Sequence, residues 1–210
     1  MLTLVLSRHG ATPRSEPEQH LGQRVDIELS ESGRQAAEAL ARRLAGVSFD
    51  RVISSPLRRA RETAAAIANG RPVETDARLL EMDYGDWEGL TYGEIEARFG
   101  DERRRWEADP ASGQCPGGES GLDVATRASR FLEDAVTTGG QVLVVAHSTL
   151  NRVLLCVALG VELREYRRRF RQEPANLTVL RFPGSAAEGA QLLLCNDVAH
   201  LRGTRGVTWG

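Results

Sequence analysis

Two runs of nonpolar residues, far apart in the chain, each end in a histidine. Residues 2–6 (Leu-Thr-Leu-Val-Leu) lead through Ser7 and Arg8 to His9, and residues 142–146 (Val-Leu-Val-Val-Ala) lead directly to His147. A continuous run like the second one is typical of a strand buried in a parallel sheet. Because ligands bind beyond the carboxyl ends of the strands in open α/β sheets, both histidines are candidates for a ligand site.

Strand and helix patterns alternate along the rest of the chain. We predict strands at 2–6, 51–54, 142–146, 177–182 and 191–196, and helices at 31–44, 57–68, 121–136 and 150–159. Residues 80–118 break this rhythm, with polar helices near 92–99 and 101–108 and a loop rich in proline and glycine. The pattern predicts an α/β fold with three α/β/α layers and a mostly parallel central sheet. It also predicts a single domain over residues 1–210, with a small helical insertion above the active site.

The ends of the predicted helices carry residues that favour those ends. Ser30 and Ser120 precede helical patterns and are plausible N-caps. Asn69 and Gly70 follow the second helix, where a left-handed residue commonly terminates a helix.

The residues beside the two histidines suit transfer of a phosphoryl group. A neutral imidazole attacks an anionic phosphate more easily than a charged nucleophile does, provided that its other nitrogen carries the proton. The charge that spreads over the phosphoryl oxygens needs cationic donors, which Arg8 and Arg59 can supply together with His147. The leaving alkoxide needs a proton, and Glu81 is the candidate acid.

Four blocks in this order resemble the histidine phosphatase superfamily, whose fold is that of phosphoglycerate mutase. They are Arg8-His9-Gly10, the Leu57-Arg58-Arg59-Ala60 helix start, Glu81 with its glycine-flanked surroundings, and His147 after its strand. The resemblance implies that His9 is phosphorylated during turnover and that Arg8, Arg59 and His147 bind the phosphoryl group. It also implies that Glu81 donates the proton and that the backbone N–H of Ser148 joins the phosphate site.

The segment 11–26 departs from the pattern of the family. Ala11 and Ser15 stand where relatives often carry Glu and Asn, and residues 21–26 contain one residue more than the usual spacing. This segment is expected to shape the substrate pocket, with Thr12, Ser15 and Gln23 as the candidate pocket residues.

Three functions compete. The first is a metal-independent phosphatase that acts on small phosphorylated metabolites through a phosphohistidine. The second is a mutase, but the motif after Glu81 reads Tyr-Gly-Asp-Trp-Glu-Gly, where mutases of this family carry Tyr-Gly-x-Leu-x-Gly. The third is a non-catalytic module that binds a phosphorylated ligand, although all four core residues are retained. The order of preference is phosphatase, mutase and binding module.

Charge and cysteine content restrict the partners. The net charge of −2 is too balanced to indicate nucleic acid or an anionic membrane as a partner. Cys156 and Cys195 lie in nonpolar runs and are expected to be buried thiols, which indicates a reducing compartment. The opening run is too short for a signal peptide, and no stretch approaches a membrane span. We therefore expect a cytoplasmic protein that needs no cofactor and binds a small phosphorylated metabolite, with a homodimer as a possibility.

Other charged residues have simpler interpretations. Asp83 and Asp86 beside Glu81 match no standard metal-binding loop, and the two site arginines disfavour an iron site made by the histidines and Glu81. Arg58 and Arg61 are expected to be solvated, and His20 and His200 to be structural or exposed. The arginine-rich run 164–171 is expected to be a solvated face, anchored by Tyr166 and Phe170. Residues 103–105, beside Trp106, are expected to be solvated as well, with substrate contact left open.

Overall fold

The computed structural model describes residues 1–201, within which six strands and six α-helices alternate. The strands are β1 (Leu2–Arg8), β2 (Arg51–Ser54), β3 (Glu74–Thr75), β4 (Gly140–Ala146), β5 (Leu177–Phe182) and β6 (Gln191–Asp197). The helices are α1 (Glu31–Arg43), α2 (Arg58–Ala68), α3 (Tyr92–Ala108), α4 (Gly121–Thr138), α5 (Ser148–Leu159) and α6 (Tyr166–Arg169). The last nine residues of the predicted domain lie outside the described part.

All six strands form one sheet in the order β3-β2-β4-β1-β5-β6. The four strands β3, β2, β4 and β1 run parallel to one another, whereas β5 and β6 are antiparallel to their neighbours. The predicted α/β class is confirmed, and "mostly parallel" describes this sheet approximately. The two-residue strand β3 was not predicted, because it lacks any nonpolar run.

Alternate residues of the central strands pack into two separate cores, one on each face of the sheet. In β4, Val142 and Val144 belong to the core beneath α4 and α5, while Leu143 and Val145 belong to the core beneath α1 and α2. Successive side chains of a strand point to opposite faces, so a strand that is nonpolar throughout fills both cores. This arrangement produces the predicted three layers.

The helix ends follow the predicted caps. Ser30 accepts a hydrogen bond from the N–H of Gly33 in α1, and Ser120 forms a capping box with Asp123 in α4. Asn69 ends α2 in the left-handed conformation. The two polar helices predicted in the insertion are joined in α3, with a kink at Phe99, whose backbone is not helical.

The edge position of β6 changes the environment of one cysteine. Cys156 is buried as predicted, but Cys195 is exposed, so the prediction for Cys195 was wrong. It lies on the outermost strand, where Leu192 and Leu193 are also exposed. None of the described helices combines the length and nonpolar character that crossing a membrane requires.

Candidate active site

The parallel pairing of β1 with β4 brings the two histidines together. Arg8 lies opposite Ala146 in the register, and the N–H of His9 donates to the Ala146 carbonyl at 3.0 Å. The rings of His9 and His147 therefore lie edge to face, with centroids 5.1 Å apart. Two histidines that are 138 positions apart in sequence thus lie side by side in one site at the carboxyl edge of the sheet.

His9 is held in one tautomer. Its Nδ1 lies 2.7 Å from the carbonyl oxygen of Gly10, and because a carbonyl only accepts, Nδ1 carries the proton. The pKa of His9 lies well below its ordinary value of 6.5, chiefly through burial and then through the charges of Arg59 and Arg8. The ring is therefore neutral at physiological pH, with the lone pair on Nε2.

His147 is completely buried behind His9. Its Nε2 forms a hydrogen bond of 2.8 Å with the hydroxyl of Ser55, the residue that follows β2. Its Nδ1 has no hydrogen-bond partner within residues 1–201. Burial, followed by the charge of Arg59, holds the pKa of His147 well below 6.5.

Arg8 approaches the same site from the end of β1. Its Nη1 donates to the carbonyl of Gln172 at 2.8 Å, and its backbone N–H donates to the side-chain oxygen of Asn176 at 2.9 Å. Its buried Nε finds no partner in the described chain. Burial lowers the pKa of Arg8 below its ordinary value, and the charges of Glu18 and Glu81 partly offset that effect.

Arg59, rather than Arg58, is the buried arginine of α2. Arg58 and Arg61 are exposed, as predicted, whereas the side chain of Arg59 is inaccessible to solvent. Its guanidinium donates to the carbonyls of Leu21, Gly22 and Val25, and its Nε has no partner among the described residues. Arg59 therefore holds the loop 21–25 and keeps one donor free.

Glu88 holds the other side of that loop. Its carboxylate accepts the backbone N–H groups of Gln23, Arg24 and Val25 at 2.7–3.1 Å. A Cβ on Gly22 would lie 2.1 Å from Glu88 Oε1, so only glycine fits between the loop and this carboxylate. The loop 21–25, part of the segment that contains one residue more than usual, is thus held by Arg59 on one side and by Glu88 on the other.

Glu81 lies at the N-terminus of α5. Its Oε1 accepts the backbone N–H groups of Met82 and Leu150, and its Oε2 accepts that of Thr149. Oε1 therefore has two protein donors and Oε2 has one. Ser148, the first residue of α5, lies against the same cavity as Glu81.

The segment that carries Glu81 is braced from α4. Arg127 donates to the carbonyls of Arg78, Leu80 and Glu81 and pairs with Glu119. The side-chain amide of Gln23 donates to the carbonyl of Glu81 and to Glu119. Gln23, which was predicted as a pocket residue, does not line the cavity and contacts the segment that carries Glu81 instead. A long side chain in a loop can turn inward to satisfy a buried carbonyl.

A cavity of about 300 Å³ opens above His9 and Glu81. Thr12 and Ser15 line it as predicted, together with most of the segment 12–21. The insertion contributes Tyr92, Arg103 and Trp106, which confirms its predicted position over the site. A second cavity of about 320 Å³, between α1 and α2, has no lining residue in common with the first.

This cavity is also lined by His20, Arg152 and Arg167, which were not predicted as site residues, and by Arg103, for which substrate contact was left open. The guanidinium of Arg103 is 2 % exposed and lies 4.7–5.7 Å from the ring centres of Tyr92, Trp106 and Trp87, so its assignment to a solvated face was wrong. The guanidinium of Arg167 lies 4.3 Å from the ring centre of Trp106, although Arg167 is exposed like the other arginines of the run 164–171, as predicted. The aromatic residues of the insertion could have indicated from the sequence where these arginines lie, because aromatic rings attract guanidinium groups.

His20 contacts this cluster through its Nε2, which lies 3.2 Å from Arg103 Nη1. Burial, followed by the charges of Arg103 and Arg167, lowers its pKa to about 4. Within residues 1–201, no group of three or more His, Cys, Asp or Glu side chains is arranged to hold a metal ion.

The fold and the site define an α/β protein with paired histidines after two strands, Arg8 at the end of β1 and a buried Arg59 at the start of α2. The sequence matches the family model described as "Histidine phosphatase superfamily (branch 1)" over residues 4–197. The chain therefore belongs to this superfamily, and it is a phosphoric monoester hydrolase.

Individual relatives agree with this assignment. The chain is 33% identical to phosphoserine phosphatase 1 of Hydrogenobacter thermophilus over 170 residues, which cover 79% of this chain and 80% of that protein. It is 37% identical to glucosyl-3-phosphoglycerate phosphatase of Mycolicibacterium vanbaalenii over 169 residues, with coverage of 75% and 74%. Among solved structures, the mycobacterial glucosyl-3-phosphoglycerate phosphatase with VO3 superposes with a TM-score of 0.84 at 32% identity, covering 93% of this chain and 99% of that one.

Proposed function

We propose that this chain hydrolyses phosphomonoesters of small metabolites through a phosphohistidine on His9, without a metal ion. The observation that carries the proposal is the hydrogen bond from His9 Nδ1 to the Gly10 carbonyl, beside the buried Arg59 and the partly buried Arg8. It leaves the lone pair on Nε2 of a ring that lines the cavity. The names of the relatives, which are phosphatases of small phosphorylated molecules, support the same substrate class.

The proposed reaction has two steps. In the first, Nε2 of His9 attacks phosphorus, the P–O ester bond breaks, and the leaving oxygen takes a proton from Glu81. In the second, a water molecule gives a proton to Glu81 and attacks phosphorus, the P–N bond breaks, and inorganic phosphate leaves. The single donor on Oε2 of Glu81 leaves a lone pair of that oxygen available to carry the proton.

Binding of the phosphoryl group is assigned to donors that lack protein partners. These are Nε of Arg8, Nε of Arg59 and Nδ1 of His147, all buried around His9. Buried polar groups are normally hydrogen-bonded, so several unpaired donors around one point favour an anionic ligand there. The backbone N–H of Ser148, at the start of α5, is proposed to complete the set.

Removal of the nucleophile tests this proposal. His9→Ala should abolish release of phosphate and the formation of an acid-labile, base-stable phosphoenzyme from labelled substrate. His200→Ala is the matched control, because the ring of His200 bonds the Ala175 carbonyl and is absent from the cavity wall. Near-parental turnover by His9→Ala would contradict the mechanism. A phosphoenzyme that passes its phosphoryl group to another substrate molecule, rather than to water, would favour the mutase, and no turnover by the parent would favour the binding module.

The cellular setting belongs to the same proposal. All three cysteines are free thiols, which is compatible with a reducing compartment such as the cytoplasm. The partner proposed is a small phosphorylated metabolite rather than nucleic acid or a membrane, and a homodimer stays a prediction.

A further inference from the structure

The cavity above His9 carries more positive charge than a single phosphoryl group needs. Five arginines line it, whereas Glu18 and Glu81 are its only carboxylates within the described chain. One phosphomonoester brings nearly two negative charges, and Arg8 and Arg59 are already assigned to them. The other arginines, which lie on different elements, face the part of the cavity where the alcohol portion of a substrate would lie.

The four other arginines of the cavity wall differ in whether a nearby carboxylate neutralises their charge. They are Arg14, Arg103, Arg152 and Arg167. Arg103 pairs with Glu107 at 2.8 Å within its aromatic surroundings, so its charge is locally balanced. For Arg14, Arg152 and Arg167, no carboxylate of residues 1–201 lies within ion-pair distance. Arg14 and Arg167 are exposed, whereas Arg152 is only partly exposed, so an anion bound beside Arg152 would gain the most from its charge.

Arg152 is the best placed of the three. It lies four residues after Ser148 on α5, which is about one helical turn, or roughly 6 Å, along the same face. Its Nε is buried and has no partner in the described chain. The charge of Arg152 also reaches Arg8, whose pKa is lowered by burial and, to a smaller extent, by Arg152. A cationic donor at this distance matches an anionic group of the substrate that lies a few bonds away from the phosphoryl group.

Arg167 approaches the same space from α6. Its guanidinium carbon lies 4.3 Å from the ring centre of Trp106, and the side chain is exposed, so its N–H groups can reach a ligand. Arg14 lies on the opposite wall, in the segment 12–21. Positive charges therefore lie on both walls of the cavity, and a leaving group that carries a negative charge would be held between them.

We propose that Arg152 and Arg167 form a second anion subsite, which binds a carboxylate or a second phosphate on the alcohol portion of the substrate. This inference rests on the proposed phosphatase function and narrows its substrate class to phosphomonoesters with an additional anionic group. Uncharged sugar or alkyl portions would leave this subsite unused.

Matched substrates test the subsite. 3-Phosphoglycerate and glycerol 3-phosphate differ by a carboxylate, and fructose 1,6-bisphosphate and fructose 6-phosphate differ by a phosphate. We expect the parent to favour the more anionic member of at least one pair by roughly tenfold or more in kcat/KM. Arg152→Gln should reduce that ratio by roughly 10-fold to 100-fold, the size expected for one charge-assisted hydrogen bond. Arg152→Lys, which keeps the charge, should retain part of it.

The control is Arg164→Gln, since Arg164 is exposed, pairs with Glu162 and is absent from this cavity wall. Its ratio should equal that of the parent. A parent without preference in both pairs, or an Arg152→Gln variant whose ratio is unchanged, would overturn the subsite while leaving the phosphatase proposal intact. A parent that hydrolyses none of the four compounds, nor p-nitrophenyl phosphate, would instead contradict the proposed function itself.

Discussion

Replacement of Glu81 by glutamine separates proton donation from binding. Glutamine keeps the size of the side chain but replaces one carboxylate oxygen with an amide nitrogen that cannot accept a hydrogen bond. If the amide oxygen keeps the two donors of Oε1, the N–H of Thr149 loses its acceptor. The loss of this charge-assisted bond at a buried helix end should lower the free energy of unfolding by about 1.5–3 kcal/mol.

The effect on catalysis should depend on the leaving group. General acid catalysis contributes roughly 10²–10⁴ in rate, or about 3–5 kcal/mol of the barrier, when the leaving oxygen is basic. The kcat of Glu81→Gln should therefore fall by about this factor on glycerol 3-phosphate, but far less on p-nitrophenyl phosphate, whose phenolate leaves unaided. KM should change little, because Arg8 and Arg59 still bind the phosphoryl group.

Glu88→Gln is a matched control for the structural part of the effect. Glu88 also accepts three backbone N–H groups, but it is absent from the cavity wall. It should lose stability to a similar extent, measured by urea unfolding, without any dependence on the leaving group. Equal losses of kcat on both substrates by Glu81→Gln would refute the assignment of Glu81 as the acid, and Asp83 would be the next candidate.

Three further predictions concern metal dependence, acid stability and positioning. Turnover of p-nitrophenyl phosphate should persist in excess EDTA, because the proposed steps use only side chains; a loss of activity that Mg²⁺ or Zn²⁺ restores would refute this. The pKa of His20 is about 4 when folded and near 6.5 when unfolded, so its contribution of roughly 3 kcal/mol is present above about pH 6.5 and is lost as the pH falls toward 4. Urea unfolding of His20→Gln should show a correspondingly shallower acid decline than the parent, and an identical decline would contradict this origin. Arg127→Met should cost about 3–5 kcal/mol, because the carbonyls of Arg78 and Leu80 lose their side-chain donor and Glu119 loses its ion-pair partner. It should also depress kcat on glycerol 3-phosphate more than on p-nitrophenyl phosphate. Arg130→Met, on an exposed position of the same helix, is the control, and equal effects of the two variants would refute the positioning role.

Local chemistry explains why much of this protein was predictable from its sequence. Nonpolar runs at β1 and β4 require burial on both faces of a sheet, and Ser30 and Ser120 cap helices through contacts only three residues away. The choice of Arg59 over Arg58 rested on a short motif at the start of α2, and the structure buries Arg59. Such features depend on neighbours in sequence, so no knowledge of the tertiary structure was needed.

Other features were decided by contacts between distant segments. Arg103 is buried because rings from three parts of the insertion surround it, although its sequence neighbours Arg104 and Arg105 are exposed. Gln23 donates to the carbonyl of Glu81, which lies 58 positions away in the sequence. The directions of β5 and β6 and the exposure of Cys195 depend on position in the sheet, which a nonpolar run does not encode. Arg152 carries no local motif, and only the shape of the cavity places it beside the phosphate site, because that cavity is assembled from loops, strand ends and helices far apart in the chain.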